Sequence, residues 1–501
     1  MDIIHSIGLG FAVALQPVNL LYCFLGVFIG TLVGVLPGIG PVGAMSLLLP
    51  VTFQTTPEAA VIMLAGIYYG AMYGGSTTSI LVNIPGEAAS VVTCLDGYQM
   101  ARQGRAGPAL GMAAFGSFIA GTAAIVGLML LAPPLSRFAL KFGPAEYFSL
   151  MVLGLCILIY LAHGSMAKAL LMAAFGVVLG LVGLDAITAQ PRLTFGRMEL
   201  VDGVGLVPIV MGLFGIAEVL LNIESVLKRN ILKSSISGLL PTRQDWRDSA
   251  GPLARGSVLG FFLGILPGGG AVISSFLSYA LEKRVSRHPE RFGHGAIEGV
   301  AGPEAANNAA AGGAFIPLMT LGIPPNVVMA MLMGAFIIHG VQPGPLMMTQ
   351  KPELFWGVIA SMYIGNTMLL ILNLPLIGIW VQVLRVPYRI LFPLILLFCL
   401  IGVYAVSNTV FDIYIMVLFG VVGYLMKKFG YEPAPLVLAF VLGPMLENNL
   451  RKSLILSQGD FSTFVTRPLS AIALLLALAL LLSPLIPRLR GKREAIALEE
   501  T

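Results

Sequence analysis

The chain has 501 residues, 57% of them hydrophobic and only 11% charged, with a mean hydropathy of +0.91. A soluble domain carries about a quarter charged residues, so an ordinary soluble protein is excluded, and apolar runs along the whole length leave no room for a separate soluble domain. The formal charge of +5 and the pI near 9.0 would suit nucleic acid, but the basic residues sit in short loops between apolar runs, where positive-inside bias puts them, and no nucleic-acid partner is expected.

No Lys or Arg precedes Arg102, so the start of the chain lacks the basic region of a cleavable secretory signal and is expected to be retained. Predicted membrane segments of the first half run 18–36, 57–73, 107–132, 145–162, 166–184 and 204–223. The polar connection from Glu224 to Arg255 carries Lys228, Arg229, Lys233, Arg243 and Arg247 and reads as a cytoplasmic linker, bounded as 225–252. Segments of the second half run 253–281, 304–316, 327–341, 354–384, 389–406, 409–426, 434–448 and 468–487. Several are too short or too interrupted by Gly and Pro to be simple spans, so the expected fold is an all-α polytopic membrane protein of about 10 to 14 helical pieces. Residues 1–224 and 253–487 form the two transmembrane repeats of this reading, and 488–501 is a cytoplasmic tail.

The two halves resemble each other. Gly34-Val35-Leu36-Pro37-Gly38-Ile39-Gly40-Pro41 returns 230 positions later as Gly264-Ile265-Leu266-Pro267-Gly268-Gly269-Gly270-Ala271. Gly74-Gly75 leads to Ile84-Pro85-Gly86 as Gly312-Gly313 leads to Ile323-Pro324-Pro325, and Gly215 with Glu218 is echoed by Gly443 with Glu447. With the linker and the Arg488, Arg490, Lys492, Arg493 tail in the cytoplasm, segment 468–487 is one crossing, which leaves Arg451, Lys452 and Arg467 outside. The linker and the 450–467 loop then lie on opposite faces, the mark of an inverted-topology repeat.

Proline removes a backbone donor and clashes with the preceding turn, and glycine tolerates left-handed dihedrals, so both Leu-Pro-Gly segments should interrupt their helices. Broken backbone at membrane depth must be buried in protein or line a watery cavity, so two breaks at equivalent positions predict a substrate path. Around 253–281 a re-entrant hairpin with its tip at Pro267 to Gly270 and a single kinked span both fit. Close packing or kinking alone is the plainer account of these glycines.

Two polar clusters carry the remaining predictions. Ser76, Thr77, Thr78 and Ser79, followed by Asn83, offer hydroxyls and backbone N–H groups beside an expected helix start, an anion seat for a carboxylate. Ser274, Ser275, Thr320 and Asn326 are the second-half counterparts. In Pro303-Glu304-Ala305-Ala306-Asn307-Asn308, helical spacing puts Glu304, Asn307 and Asn308 on one face, where oxygen ligands suit Na+ or a proton. Helix-to-helix hydrogen bonding is the structural alternative for both clusters. Substrate contacts are therefore predicted at Pro37, Gly38, Gly40, Ser76, Thr77, Thr78, Ser79, Asn83, Pro267, Gly268, Gly269, Gly270 and Ser274. Cation coupling is predicted at Glu304, Asn307, Asn308 and Thr320. Glu447-Asn448-Asn449 reads as a helix end, and His288, Glu290, His294 and Glu298 as a solvated loop. The cysteines show no metal or disulfide spacing, and no nucleotide-loop, zinc-protease or nucleophile-elbow motif supports an enzyme or an ATP-driven pump.

Gly34 to Pro41, Gly264 to Gly270, Gly299 to Ala309, Gly312-Gly313 and Leu321 to Pro324 together resemble the large membrane subunit of bacterial tripartite tricarboxylate transporters. The likeness covers essentially the whole chain and is most specific over 299–324. It implies an inner-membrane permease working with a small membrane subunit and a periplasmic binding protein, importing citrate or another carboxylate, with a Na+ or H+ gradient rather than ATP as its drive and no other cofactor. In such systems the binding protein largely selects the substrate, which leaves its identity open. A channel-like or lipid-handling membrane protein is the rival reading.

Overall fold

The computed structural model describes residues 3–36, 40–162, 165–224, 238–268, 270–384 and 388–483. The predictions at Pro37, Gly38 and Gly269, the linker over 225–237 and the 488–501 tail lie outside them. Regular structure among the described residues is helical, apart from one antiparallel two-residue pair, Gly183–Leu184 with Pro191–Arg192. Among the described residues seven helices are long and apolar enough to cross a membrane, so the chain is an all-α polytopic membrane protein.

The breaks fall where the sequence places them. Pro17–Val35 ends at Leu36, which is extended (φ −89°, ψ 102°), and a new helix, Gly40–Thr52, begins past the interruption. Arg243–Ile265 ends at Leu266, also extended (φ −80°, ψ 133°), before Gly270–Val285. The residue before a proline is pushed out of the helical region, which accounts for both stops. Gly40–Thr52 is not among the predicted segments: its 13 residues are too few for a spanning window and include Gly, Pro and Ser. In the other direction, Pro57–Val82 continues past the predicted end at 73, because Gly74 and Gly75 serve packing and not chain reversal.

That packing sets the frame. Gly26, Gly30 and Gly34 lie against the carbonyls of Met63, Ile67 and Ala71, where an added Cβ would stand 2.3, 2.6 and 2.3 Å from oxygen. Gly256, Gly260 and Gly264, each 230 positions on, meet the carbonyls of Gly302, Ala306 and Ala310, at 2.4, 2.1 and 2.2 Å. Small residues let helices approach backbone to backbone, which drives association where lipid removes the hydrophobic effect. In both pairs the contacts advance in the same direction along the two helices, so these run parallel. The intervening Gly40–Thr52 and Gly270–Val285 must therefore run back, which makes each break the tip of a helical hairpin.

A second interruption follows in each half. Pro57–Val82 is capped by Asn83 in the left-handed region (φ 59°, ψ 33°), and the Glu298–Gly313 and Phe315–Leu321 helices by Gly322 (φ 70°, ψ 25°). Both are left-handed C-caps, to which Asn and Gly are best suited. The chain then re-enters as Ala88–Ser90 with Val91–Arg102, and as Val327–Ile338. The halves interlock beyond these hairpins: Glu298–Gly313 packs on Ala106–Ala139, Pro57–Val82 on Pro352–Asn373, Met166–Gly180 on Pro433–Leu456, and Val410–Lys428 on the π-turn Met211–Ile216.

At one end of the molecule the short hairpin is bound to Pro433–Leu456 by ions. Arg192 donates to Glu447 at 2.7 and 3.0 Å, and Arg451 to Asp185 at 2.5 Å. Backbone N–H donation from Thr188, then Arg451 and the Ile187 N–H, hold the Asp185 carboxyl well below the usual carboxylate range. Glu447 is thus an ion-paired residue in the interior of Pro433–Leu456, and not the helix end that the sequence suggests.

Candidate functional site

The four interruptions meet at one place. A cavity of about 480 Å³ is lined by Gly40, Pro41 and Val42, by Pro85 to Ala88, by Gly268 and Gly270 to Ile273, and by Asn326 to Val328. These are the first turns of four helices that begin at the cavity. The first four N–H groups of a helix have no acceptor within it, and the peptide dipoles add about half a positive charge at each N-terminus. Four such ends facing one space make a site for negative charge that needs no arginine. The volume is within the usual range for a small-molecule site.

Backbone contacts hold the tips together. Gly268 (φ +76°) donates its N–H to the Pro325 carbonyl at 2.9 Å, and a Cβ there would stand 2.9 Å from the Leu158 Cα. In the first half a Cβ on Gly86 would lie 2.0 Å from the Gly34 carbonyl oxygen.

Side chains from each half reach the opposite tip. Glu87 caps its short helix by accepting from the Ala89 N–H at 2.6 Å, and Asn326 caps Val327–Ile338 by accepting from the Met329 N–H at 2.9 Å. Asn307 Nδ2 donates to Glu87 Oε1 at 3.2 Å, and Asn326 Nδ2 donates to Tyr68 Oη at 3.3 Å. Glu87 and Asn326 stand 239 positions apart, as do Tyr68 and Asn307. The two contacts are therefore the same contact made twice with the halves exchanged, as a two-fold relation requires.

The charged groups of the cavity wall are Glu87, Glu218, Glu432 and Lys427, and Lys427 is ion-paired with Glu218. A second cavity of about 700 Å³ continues along the same helices, from Leu49 on Gly40–Thr52, Met333 to Ile338 on Val327–Ile338, and Phe440 to Met445 on Pro433–Leu456, with Glu199, Asp202 and Asp412 in its wall. Gly270–Val285 and Val91–Arg102 leave the first cavity on the other side, where Tyr279 donates to Asp96 at 2.9 Å.

The predicted site residues divide accordingly. Gly40, Gly268 and Gly270 line the cavity, and Pro267 packs outside it against Gly154. Ser274 donates back to the Gly270 carbonyl at 2.6 Å and closes the first turn. The helix start expected at the hydroxyl run is corrected by the structure. Residues 76–79 lie inside Pro57–Val82 and not at a helix start, and their hydroxyls are spent on protein: Ser76 on Glu304 at 2.6 Å, Thr78 on the Val35 carbonyl at 2.7 Å, and Ser79 on the Gly75 and Ser90 carbonyls at 3.0 and 2.9 Å. Thr77 lines a small void beside Tyr73 and Ser117. Asn83 is an exposed C-cap.

Glu304 lines neither cavity. It is 1% exposed and accepts from Ser76, from Thr93 and, at 3.5 Å, from Ser117, all on first-half helices. Asn308 supports the set by donating to Ser117 Oγ at 2.7 Å. Thr320 donates to the Ile316 carbonyl of its own helix, at 2.7 Å. Of the predicted coupling residues, Asn307 alone reaches the cavity wall, through Glu87. Sequence reading misses Glu87, although its place after Ile84-Pro85-Gly86 matches that of Asn326 after Ile323-Pro324-Pro325.

Residues 20–438 match the tripartite tricarboxylate transporter TctA family. The chain is 55% identical, over 500 residues that cover all of both chains, to the "uncharacterized 52.8 kDa protein in TAR-I ttuC' 3'region" of Agrobacterium vitis. It is also 55% identical over 241 residues, 48% of this chain and all of the relative, to the "uncharacterized protein in TAR-II ttuC' 3'region" of the same organism. No solved structure matches.

Proposed function

This chain belongs to the tripartite tricarboxylate transporter TctA family, and on that premise we propose that it is the large permease subunit of a secondary, binding-protein-dependent importer of citrate or a related carboxylate in the bacterial inner membrane, driven by a Na+ or H+ gradient. The observation that carries this reading is the convergence of four helix starts on one cavity. Its partners are a small membrane subunit and a periplasmic binding protein. Transport, and not chemistry, is its activity, since helix ends of this kind hold an anion without supplying a nucleophile.

The geometry also supports inverted topology. Gly40–Thr52 leaves the cavity toward the 700 Å³ space, whereas its repeat counterpart, Gly270–Val285, leaves toward Asp96 on the opposite side. Asp245, within the 225–252 linker and in the first turn of Arg243–Ile265, which begins inside those bounds, pairs with Arg105 at 2.5 Å, and Arg105 closely follows Val91–Arg102 and so shares that second side. In this reading the linker side is cytoplasmic and the wider space is periplasmic, and rocking of the hairpins would expose the cavity to each side in turn.

The test is uptake of labelled citrate, with other carboxylates in parallel, by vesicles holding the permease and its two partners. Accumulation should require both the binding protein and a cation gradient. Gly268→Ala should lower the rate at least about fivefold at normal expression, because a side chain at φ +76° against Leu158 displaces the tip and costs about 1–3 kcal/mol of strain. Absence of any carboxylate uptake by the intact system would refute the reading.

A further inference from the structure

We propose that Glu87 is the cation-coupling group of the permease, binding one proton or Na+ together with the carboxylate that enters the cavity. The inference rests on the carboxylate-transport reading above and adds to it the residue that links cation to substrate.

The first observation is a comparison within the molecule. Glu87 and Asn326 occupy equivalent positions, cap equivalent helices and face the same cavity. Asn is among the best N-cap residues, and the second half shows that a neutral amide meets every structural need of this position. The fold does not call for the carboxylate at 87, so its charge has another use.

The second observation is an unmet oxygen. Asn307 is 1% exposed, its Nδ2 is bound to Glu87 Oε1, and its Oδ1 is buried without a hydrogen-bond partner among the described residues. A buried acceptor left unmade costs about 1–3 kcal/mol. Turning the amide about its last torsion would bring Oδ1 to face Glu87 Oε1. Two oxygens so placed repel unless a cation lies between them, either a proton on Glu87 that donates to Oδ1 or a Na+ shared by both. Asn307 can thus serve both states of Glu87: its N–H binds the bare carboxylate, and its oxygen binds the cation-loaded one.

The third observation is charge. The hydrogen-bond donors to the Glu87 carboxylate among the described residues are the Ala89 and Ser90 N–H groups and the Asn307 amide, all neutral. The other titratable groups of its surroundings are differently placed: Glu218 is paired with Lys427, Glu304 is held by three hydroxyls behind the wall, Tyr68 bonds Asn326, Cys94 bonds the Ser90 carbonyl, and Glu432 stands elsewhere on the cavity lining. A carboxylate substrate drawn to the four helix ends therefore meets a like charge at one of them. Neutralising Glu87 removes that repulsion, so the cation strengthens anion binding and, by reciprocity, the anion strengthens cation binding by the same factor.

The experiment measures citrate binding to the purified complex at low and high concentration of each cation, with pH varied without Na+ in one arm and Na+ varied at fixed pH in the other. In the wild type, one arm should tighten the citrate Kd at least about tenfold. In Glu87→Asn, which copies the second half, that dependence should fall below about twofold, with citrate's own titration common to both proteins. A pH-indicator dye and radioactive Na+ then read the cation taken up per citrate bound: one for the wild type, none for the variant. Retention of wild-type cation dependence in Glu87→Asn, or in Glu87→Gln should the first variant not fold, would overturn the inference, as would wild-type citrate binding without uptake of either cation. Failure of the wild type to bind any carboxylate would instead refute the transport reading on which the inference stands.

Discussion

Gly260→Leu will yield no monodisperse permease after detergent extraction, whereas Gly378→Leu will yield the wild-type amount. Gly260 sits at the middle of its stripe, and a Cβ there would lie 2.1 Å from the Ala306 carbonyl oxygen and 2.6 Å from the Ala306 Cα. Both atoms are backbone of a buried helix, so no rotamer change relieves the overlap and the helices must separate. Overpacking a core by side-chain atoms alone costs about 1–3 kcal/mol, and forcing two backbones apart costs more, against a total stability of about 5–15 kcal/mol. Separation would also pull Leu266 and Gly268 away from Pro325, and the cavity with them. Gly378 has nothing within 4 Å of its added Cβ. Gel filtration distinguishes the two, and normal recovery of Gly260→Leu would show that the stripe does not set the frame.

Glu304→Ala will lower the thermal midpoint of the complex more than Glu304→Gln, and the glutamine variant that folds will keep the wild-type cation dependence of uptake. Alanine strips the acceptor from Ser76, Thr93 and Ser117 at once and leaves a hole the size of a carboxylate. Ser76 retains a weaker bond to the Met72 carbonyl at 3.3 Å, so the loss is less than three full penalties, of the order of 3–5 kcal/mol. Glutamine keeps the shape and one oxygen, and a hydroxyl can rotate to accept from its new N–H₂, so about 1–2 kcal/mol is expected. Thermal unfolding followed by fluorescence, with uptake measured per folded molecule, checks both statements. Loss of cation dependence in Glu304→Gln at unchanged stability would make this cluster the coupling site.

Much of the arrangement is legible in the chain because it is made of residues with few alternatives. A proline after Leu36 and Leu266 forces both stops, the glycines that follow permit the reversals, and the 230-residue spacing pairs the two copies. The same spacing relates the stripes of Gly26, Gly30, Gly34 and Gly256, Gly260, Gly264, which periodicity of apolar residues does not register because glycine is not apolar bulk. The function of polar side chains is harder to read. Ser76 to Ser79 look the same whether they start a helix or lie within one, and only the partner helices show that their hydroxyls serve Glu304 and backbone carbonyls. Asn83 resembles a ligand until its left-handed backbone and its counterpart Gly322 identify it as a cap. Glu87 is concealed for the opposite reason: one carboxylate in a loop is unremarkable until Asn307, far along the chain, is brought against it.

In the proposed transporter the carboxylate sits in the cavity at the four helix starts. Single cysteines at Val42 and Ala271, one on each half's first hairpin and both on the cavity wall, test it in a chain whose four native cysteines are replaced by alanine. The rate of thiol alkylation is measured with and without saturating citrate, beside a control cysteine at the exposed Ser462. Slowing of alkylation by at least about fivefold at both 42 and 271, with no change at 462, is the predicted result. Equal alkylation at 42 and 271 with and without citrate, in a complex that still transports it, would contradict the claim and place the substrate elsewhere.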